Sequence, residues 1–256
     1  ASRVRHGAFL CNAELFENGF FRISPAEAAA MDPQQRLLLE HSYEALHAAG
    51  QRRASLNDSH AGVALGVYAV DFKALLARTP AGRSVYAATG ASPSIASGRV
   101  SYVLGLQGSC VSVDTACSAA LVASHYAVLV LRAHEPREHR ALPLEREPKQ
   151  IAAGVNLVLL PGPGHLMAIA GMTSPNGRCH TFDARADGFV RAEGCVVTTL
   201  QLTSQLSSAR LTLGSVAVRQ DGRSASLTAP NGQAQQALLH AAFADAGLVA
   251  ADLERL

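Results

Sequence analysis

Apolar residues recur along this chain in two rhythms, a helical one and a shorter one of alternating or continuous runs, and turn-forming residues separate them. From Asp32 to Gly50 the stripe Leu37, Leu38, Tyr43, Ala45, Leu46 and Ala49 predicts a helix. Asp32 is its cap, Pro33 stands in its first turn and Gly50 is its stop. Ser24-Pro25-Ala26-Glu27 repeats the opening and predicts a short helix to about Ala30. Val63, Leu65 and Val67 predict a buried strand over Gly62–Tyr68, with a local helix over Asp71–Ala77 and another over residues 94 to 104, ended by the loop Gly105–Gly108. Cys110–Val113 reads as a strand, and Thr115–Leu131 as a helix so apolar that a central, buried place is expected for it.

Further on, Gln150–Leu160 predicts a buried strand interrupted at Gly154 and closed by Pro161-Gly162-Pro163-Gly164, followed by a short helix around His165–Gly171. Val196–Leu200 and Leu211–Val218 are strand candidates, and Ala234–Ala246 is the last helix, opened after Pro230-Asn231-Gly232 and stopped by Gly247. Residues 1–21 carry Phe9, Leu10, Leu15, Phe16, Phe20 and Phe21 without a period, which reads as a packed connecting segment. Strands alternating with helices predict a layered α/β core.

Composition narrows the classes. With 256 residues, 48% hydrophobic and 16% charged, the chain has material for a substantial core. A net charge of +2 and 5% aromatic residues give neither a basic face nor stacking platforms, so no nucleic-acid partner is expected. Five cysteines (Cys11, Cys110, Cys117, Cys179 and Cys195) form no C-x-x-C pair and no zinc-like spacing with histidine, so a reducing intracellular compartment is expected and no metal site. Cytoplasm fits best, with an organelle open because Ala1 is not an initiator residue. Apolar stretches broken by Gly, Pro, Arg or His give no membrane span. Neither G-x-G-x-x-G nor a P-loop occurs. Residues 132–149 depart from the rest with mixed charges and prolines, and read as an exposed excursion.

The chemistry concentrates at Cys117, where the strand run Val111-Ser112-Val113 gives way to Asp114-Thr115-Ala116-Cys117-Ser118-Ala119-Ala120. A cysteine in a first helical turn faces N–H groups without intrahelical partners and the positive end of the dipole, an environment that favours a sulfur anion. Free cysteine is also a common core residue, so burial as a small hydrophobe stands beside that reading. The small neighbours leave the thiol sterically open, which tips the balance toward thioester chemistry.

Five segments then resemble, in order and over nearly the whole chain, the ketosynthase domain of modular type I polyketide synthases, a beta-ketoacyl synthase of the thiolase-like superfamily. They are Phe20-Phe21-Arg22-Ile23-Ser24-Pro25, Met31-Asp32-Pro33-Gln34-Gln35-Arg36, Asp114-Thr115-Ala116-Cys117-Ser118, Asp183 with Asp187-Gly188-Phe189-Val190-Arg191-Ala192-Glu193-Gly194, and Leu227-Thr228-Ala229-Pro230-Asn231-Gly232. The resemblance implies a thiolase-like layered α/β/α fold, here partial (the N-terminal half and the start of the second half). Residues 1–256 would be one partial ketosynthase domain and 132–149 a charged insertion within it.

It also implies that Cys117 is the acyl-accepting nucleophile and that no cofactor is bound. The acyl group would arrive on the phosphopantetheine arm of an acyl carrier protein, and a malonyl-type extender would lose carbon dioxide and attack the acyl-Cys117 carbonyl. Implied partners are that carrier, the remainder of the ketosynthase or another subunit, and a second copy in a homodimer. The family's two catalytic histidines and lysine follow the part matched here, and His125, His165 and His180 stand in none of their motifs; His180 takes a place where related chains often have lysine. The family also begins with a strand and a G-M-x-x-R-x-P-like turn upstream of residue 8, and its connection near residues 132–149 is shorter. These departures keep two other readings open: a noncatalytic structural or interaction subunit derived from a ketosynthase, and thiolase-like transfer on coenzyme A esters.

Overall fold

The structure, a computed structural model, describes residues 5–68, 71–133, 149–202, 211–249 and 251–252. In chain order its elements are β1 (Gly7–Ala8), α1 (Pro25–Ala30), α2 (Pro33–Ala48), α3 (Arg53–Leu56), β2 (Gly62–Val67), α4 (Asp71–Leu76), α5 (Ala87–Gly90), α6 (Pro93–Leu104), β3 (Cys110–Val113), α7 (Ala119–Ala133), β4 (Lys149–Asn156), α8 (Pro161–Ile169), β5 (Arg191–Ala192), β6 (Gly194–Gln201) and α9 (Gly232–Ala246). Single 3₁₀ turns lie at Pro80–Arg83 and Ala116–Ser118.

The capping residues act as their chemistry dictates. Ser24 Oγ accepts from Glu27 N at 3.2 Å, Asp32 Oδ1 accepts from Gln34 N at 2.8 Å, and Asn231 Oδ1 accepts from Gln233 N at 3.1 Å. Gly105 and Gly247 end α6 and α9 with φ of 73° and 65°, a left-handed turn that glycine enters without penalty.

Strands β3, β2, β4 and β6 form one sheet in that order, β2 parallel to both neighbours and β6 antiparallel to β4. Parallel strands need cover on both faces, and the sequence supplies it asymmetrically. On one face, Leu38, Leu39 and Leu46 of α2 and Val100 and Leu104 of α6 pack on Val63, Leu65, Ile151 and Val155. On the other, Ala123 and Ala127 of α7 pack on Ala64 and Ala152, a thin alanine-on-alanine layer. The result is the expected layered α/β architecture.

Buried polar residues join the helices to this sheet. Arg99 Nε donates to Gln35 Oε1 at 2.7 Å and its guanidinium pairs with Glu27, while Gln35 Nε2 donates to Thr89 O and Ser92 O at 3.2 and 3.3 Å. Gln34 Oε1 accepts from Leu157 N at 3.2 Å, at the end of β4. Arg36 donates from Nε and Nη2 to Met31 O and from Nη1 to Glu14 O. The run Met31–Arg36 is therefore a structural bracket between α1, α2, α6 and β4. Burial raises the Asp32 carboxyl above its ordinary pKa and lowers that of Arg36.

Several expectations need correction. The α7 helix is not central: it buries Ala119, Ala123, Ala127 and Leu131 at helical spacing, while Leu121 and Leu129 on other faces are 68% and 49% exposed. Ala116–Ala133 has the length and mean hydropathy, 1.5, of a membrane span, yet its alanine stripe is fitted to the sheet. Leu211–Val218 is not a strand, because no described strand lies alongside to accept its backbone hydrogen bonds. Pro161-Gly162-Pro163-Gly164 opens α8 instead of closing a strand, since a proline in the first turn has no helical N–H to lose. Strand β4 runs unbroken through Gly154. In the first segment Phe16 stacks on Phe21 with centroids 5.4 Å apart, but Phe9 and Leu15 face solvent, so it is only partly packed. Of the charged excursion over 132–149, residues 134–148 lie outside the described residues, whereas Arg132 and Ala133 end α7 and Lys149 is buried at the start of β4.

Candidate active site

Strand β3 ends at Val113, and the next four residues make a sharp elbow. Asp114 Oδ1 accepts from Ala116 N at 2.9 Å, which turns the chain back on itself immediately after the strand. Ala116 has φ of 54°, a left-handed conformation that costs a non-glycine residue about 1–2 kcal/mol. Ser118 Oγ donates to Thr115 O and lies 2.9 Å from Thr115 Oγ1. Cys117 occupies the 3₁₀ turn so formed, and the α-helix proper begins only at Ala119.

This corrects the sequence reading twice. The helix starts four residues later than Thr115, and Cys117 is exposed instead of buried at the helix mouth. The physical reason is the same in both cases: the left-handed Ala116 directs the following residue outward before the helical ladder begins. No local propensity signals such a residue, because alanine ordinarily avoids that conformation.

Exposure does not single out Cys117, since Cys11, Cys110 and Cys179 are exposed as well. Its position does, at the only cysteine-bearing strand-to-helix elbow among the described residues. Cys195 is the opposite case: it packs against the main core from β6, and burial, then the nearby Glu44 charge, push its thiol up to about 12. Cys179 Sγ accepts from Val190 N at 3.2 Å.

The histidines are placed elsewhere. His125, on α7, holds Val216 O at 2.7 Å through Nδ1, and His165 lies on α8. Among the described residues no three of His, Cys, Asp and Glu gather as metal ligands. A hollow of about 510 Å³ at the start of α9 is lined by Arg223, Ser224, Asn231 and Gln236 among others, and Cys117 is not part of its wall.

The acidic motif near residue 187 is structural. Glu193 accepts from Val158 N through Oε1 at 2.8 Å and from Leu10 N through Oε2 at 2.9 Å, clamping two distant segments to β6. Asp187 Oδ2 accepts from Asn176 Nδ2 at 2.8 Å, and Gly188, at φ 133°, leaves no room for a Cβ against the Thr173–Ser174 backbone. The Arg185 guanidinium on Asp183 holds its carboxyl down at about 2. Gly66 of β2 goes unmarked in the sequence and Gly154 of β4 reads there as a strand interruption, yet the two pair beneath the first turn of α7; only a strand alignment that paired them would have signalled this.

Residues 1–205 match the family described as beta-ketoacyl synthase, N-terminal domain. The chain is 46% identical over 258 residues to a type I polyketide synthase of phenolphthiocerol synthesis from Mycobacterium bovis, an alignment covering 98% of this chain and 11% of that protein. It is 43% identical over 258 residues to erythronolide synthase EryA3 of Saccharopolyspora erythraea, covering 98% of this chain and 8% of the relative. Among solved structures, the ketosynthase from module 6 of the bacillaene synthase of Bacillus subtilis aligns with a TM-score of 0.78 and 32% identity over 94% of this chain and 40% of that one. An oxazolomycin ketosynthase domain from Streptomyces albus aligns with a TM-score of 0.80 and 32% identity over 95% and 41%. The chain thus spans less than half of the ketosynthases it resembles. With its layered sheet and these matches, it belongs to the beta-ketoacyl synthase family and matches the N-terminal, thiolase-like domain of modular polyketide synthase ketosynthases.

Proposed function

We propose that this chain contributes the nucleophile of a 3-oxoacyl synthase, and that Cys117 carries the growing acyl group between an acyl carrier protein and the condensation step. The observation that supports this most is the exposed thiol on a strained turn ahead of a long helix, which leaves the sulfur reachable.

In the first half-reaction the Cys117 sulfur attacks the carbonyl carbon of a thioester on the carrier's phosphopantetheine arm. The C–S bond to the carrier breaks, a C–S bond to Cys117 forms, and the departing carrier thiolate takes up the proton that Cys117 gave up. The oxyanion formed on the way is received by the Cys117 backbone N–H, with a second donor supplied from the remainder of the ketosynthase. In the second, a malonyl-type extender loses carbon dioxide, and the enolate carbon so generated attacks the acyl-Cys117 carbonyl and expels the sulfur. Decarboxylation and condensation are supported by the two histidines that the resemblance locates, with a lysine, after the part matched here. This reading assigns the chain no bound cofactor, a carrier protein as acyl donor, a second copy as dimer partner, and a reducing cytoplasm.

The test is mass spectrometry of the chain completed by the downstream half of a related ketosynthase and offered acyl N-acetylcysteamine thioesters or acyl carrier protein. An acyl mass on Cys117 ahead of the other four cysteines is the expected outcome. Acylation confined to other cysteines, or none, rejects the assignment and favours the noncatalytic reading. Faster transfer from coenzyme A than from the carrier favours thiolase-like chemistry.

A further inference from the structure

We infer that Gly66 and Gly154 form a flat seat that fixes where the Cys117 sulfur stands, and that both are positioning residues for acyl transfer; the inference rests on reading Cys117 as the nucleophile. The two glycines are direct partners across β2 and β4. Neither has a left-handed φ, so conformational freedom is not the reason for glycine at either position. The reason is space. A Cβ on Gly66 would come within 2.6 Å of Ala120 Cα and closer still to the Ala119–Ala120 peptide, and a Cβ on Gly154 would lie 2.6 Å from Ala120 Cβ.

Of the other pairs across the same two strands only Gly62 with Gln150 includes a glycine, and it faces the Gln150 side chain; Val63 with Ile151, Ala64 with Ala152, Leu65 with Ala153 and Val67 with Val155 carry side chains on both strands. On the α7 side, Ala64 and Ala152 hold the helix off by a methyl layer at Ala123 and Ala127. One step along the strands that layer is missing, and the first turn of α7, next to the elbow, lies where a Cβ on either glycine would be. Carbon atoms pack at about 3.5–4 Å, so a methyl at Gly154 displaces that turn by about 1 Å. Reacting groups misplaced by 1 Å lose about a hundredfold in rate.

The measurement is the rate of iodoacetamide alkylation of each cysteine in the 256-residue chain, read by mass spectrometry. Exposed Cys179 is the internal standard for reagent access, and Cys195 reports opening of the fold. Gly154→Ala is expected to slow Cys117 relative to Cys179 by more than about twofold, with Cys195 still protected. Because the clash at Gly154 is with one methyl, Ala120→Gly in the same chain is expected to restore the ratio to within about twofold of the wild type. The clash at Gly66 is with backbone, so Ala120→Gly is not expected to rescue Gly66→Ala.

An unchanged ratio in a folded Gly154→Ala protein, or a slowed Cys117 that Ala120→Gly fails to relieve, overturns the seat. Should Gly154→Ala open the fold, as seen by Cys195 becoming reactive, the Ala120→Gly/Gly154→Ala protein decides alone: a wild-type ratio with Cys195 protected supports the seat, and any other ratio refutes it. If wild-type Cys117 alkylates with this glycine dependence yet never takes an acyl group in the completed ketosynthase, the nucleophile reading falls and the seat stands.

Discussion

Cys117 and Cys195 show how position in the fold separates two identical side chains. Cys117 stands in solvent on its elbow, whereas Cys195 is held neutral by burial against the core. A thiol whose folded pKa, about 12, is raised above its ordinary value of 9.0 stabilises the fold below the ordinary value, and that contribution is lost as pH rises toward the folded one. Chemical denaturation across that alkaline window is expected to show a shallower loss of stability for Cys195→Ala than for the wild type; parallel curves would contradict the assignment. Asp183 works in the other direction: its carboxyl, at about 2 beside Arg185, favours the fold above the ordinary carboxylate value and loses that contribution as pH falls through about 2. An NMR titration of Asp183 is expected to move toward the ordinary carboxylate midpoint in Arg185→Ala. At Cys117 itself, serine substitution is expected to abolish thioester adducts while leaving the melting temperature within the few degrees typical of an exposed site.

The elements carry their stability unequally. Leu38 and Leu39, both fully buried between α2 and the sheet, make the thick side of the layer, and Leu39→Ala is expected to cost about 2–5 kcal/mol in urea unfolding. The bracket around Arg99 adds a polar counterpart. Removing Glu27 leaves a buried guanidinium with Gln35 as its remaining side-chain partner, so Glu27→Ala is expected to lose on the order of 2–3 kcal/mol. That loss should shrink in an Arg99→Met background, and a double-mutant cycle showing no coupling would remove the bracket from the account. On the thin side, α7 meets the sheet through methyl groups, so Leu121→Lys on its open face is expected to change stability by less than about 0.5 kcal/mol. The same substitution is expected to weaken association with the remainder of a ketosynthase, measured by co-purification, if that face is what the remainder covers.

At the scale of the molecule, among the described residues one face of the sheet is closed by α2 and α6 through leucine and valine side chains, and the other by α7, whose outer side is open. This agrees with a chain that spans about 40% of the solved ketosynthases it resembles. The sequence by itself determined most helix boundaries, because caps at Ser24, Asp32 and Asn231 and stops at Gly105 and Gly247 act within a few residues of where they stand. It determined β2, β3, β4 and β6 through their apolar runs, and the family through short motifs in order. Leu211–Val218 carries the same strand pattern and forms none, since a strand exists only where a neighbour accepts its hydrogen bonds, and pattern cannot report a neighbour. Tertiary structure alone decided the elbow at Ala116, the exposure of Cys117, the open side of α7, and the pairing of Gly66 with Gly154 beneath them. Each depends on how far one element stands from another across the sheet, a distance set by packing between residues remote in the chain, whereas caps and apolar periods are set by neighbours in sequence.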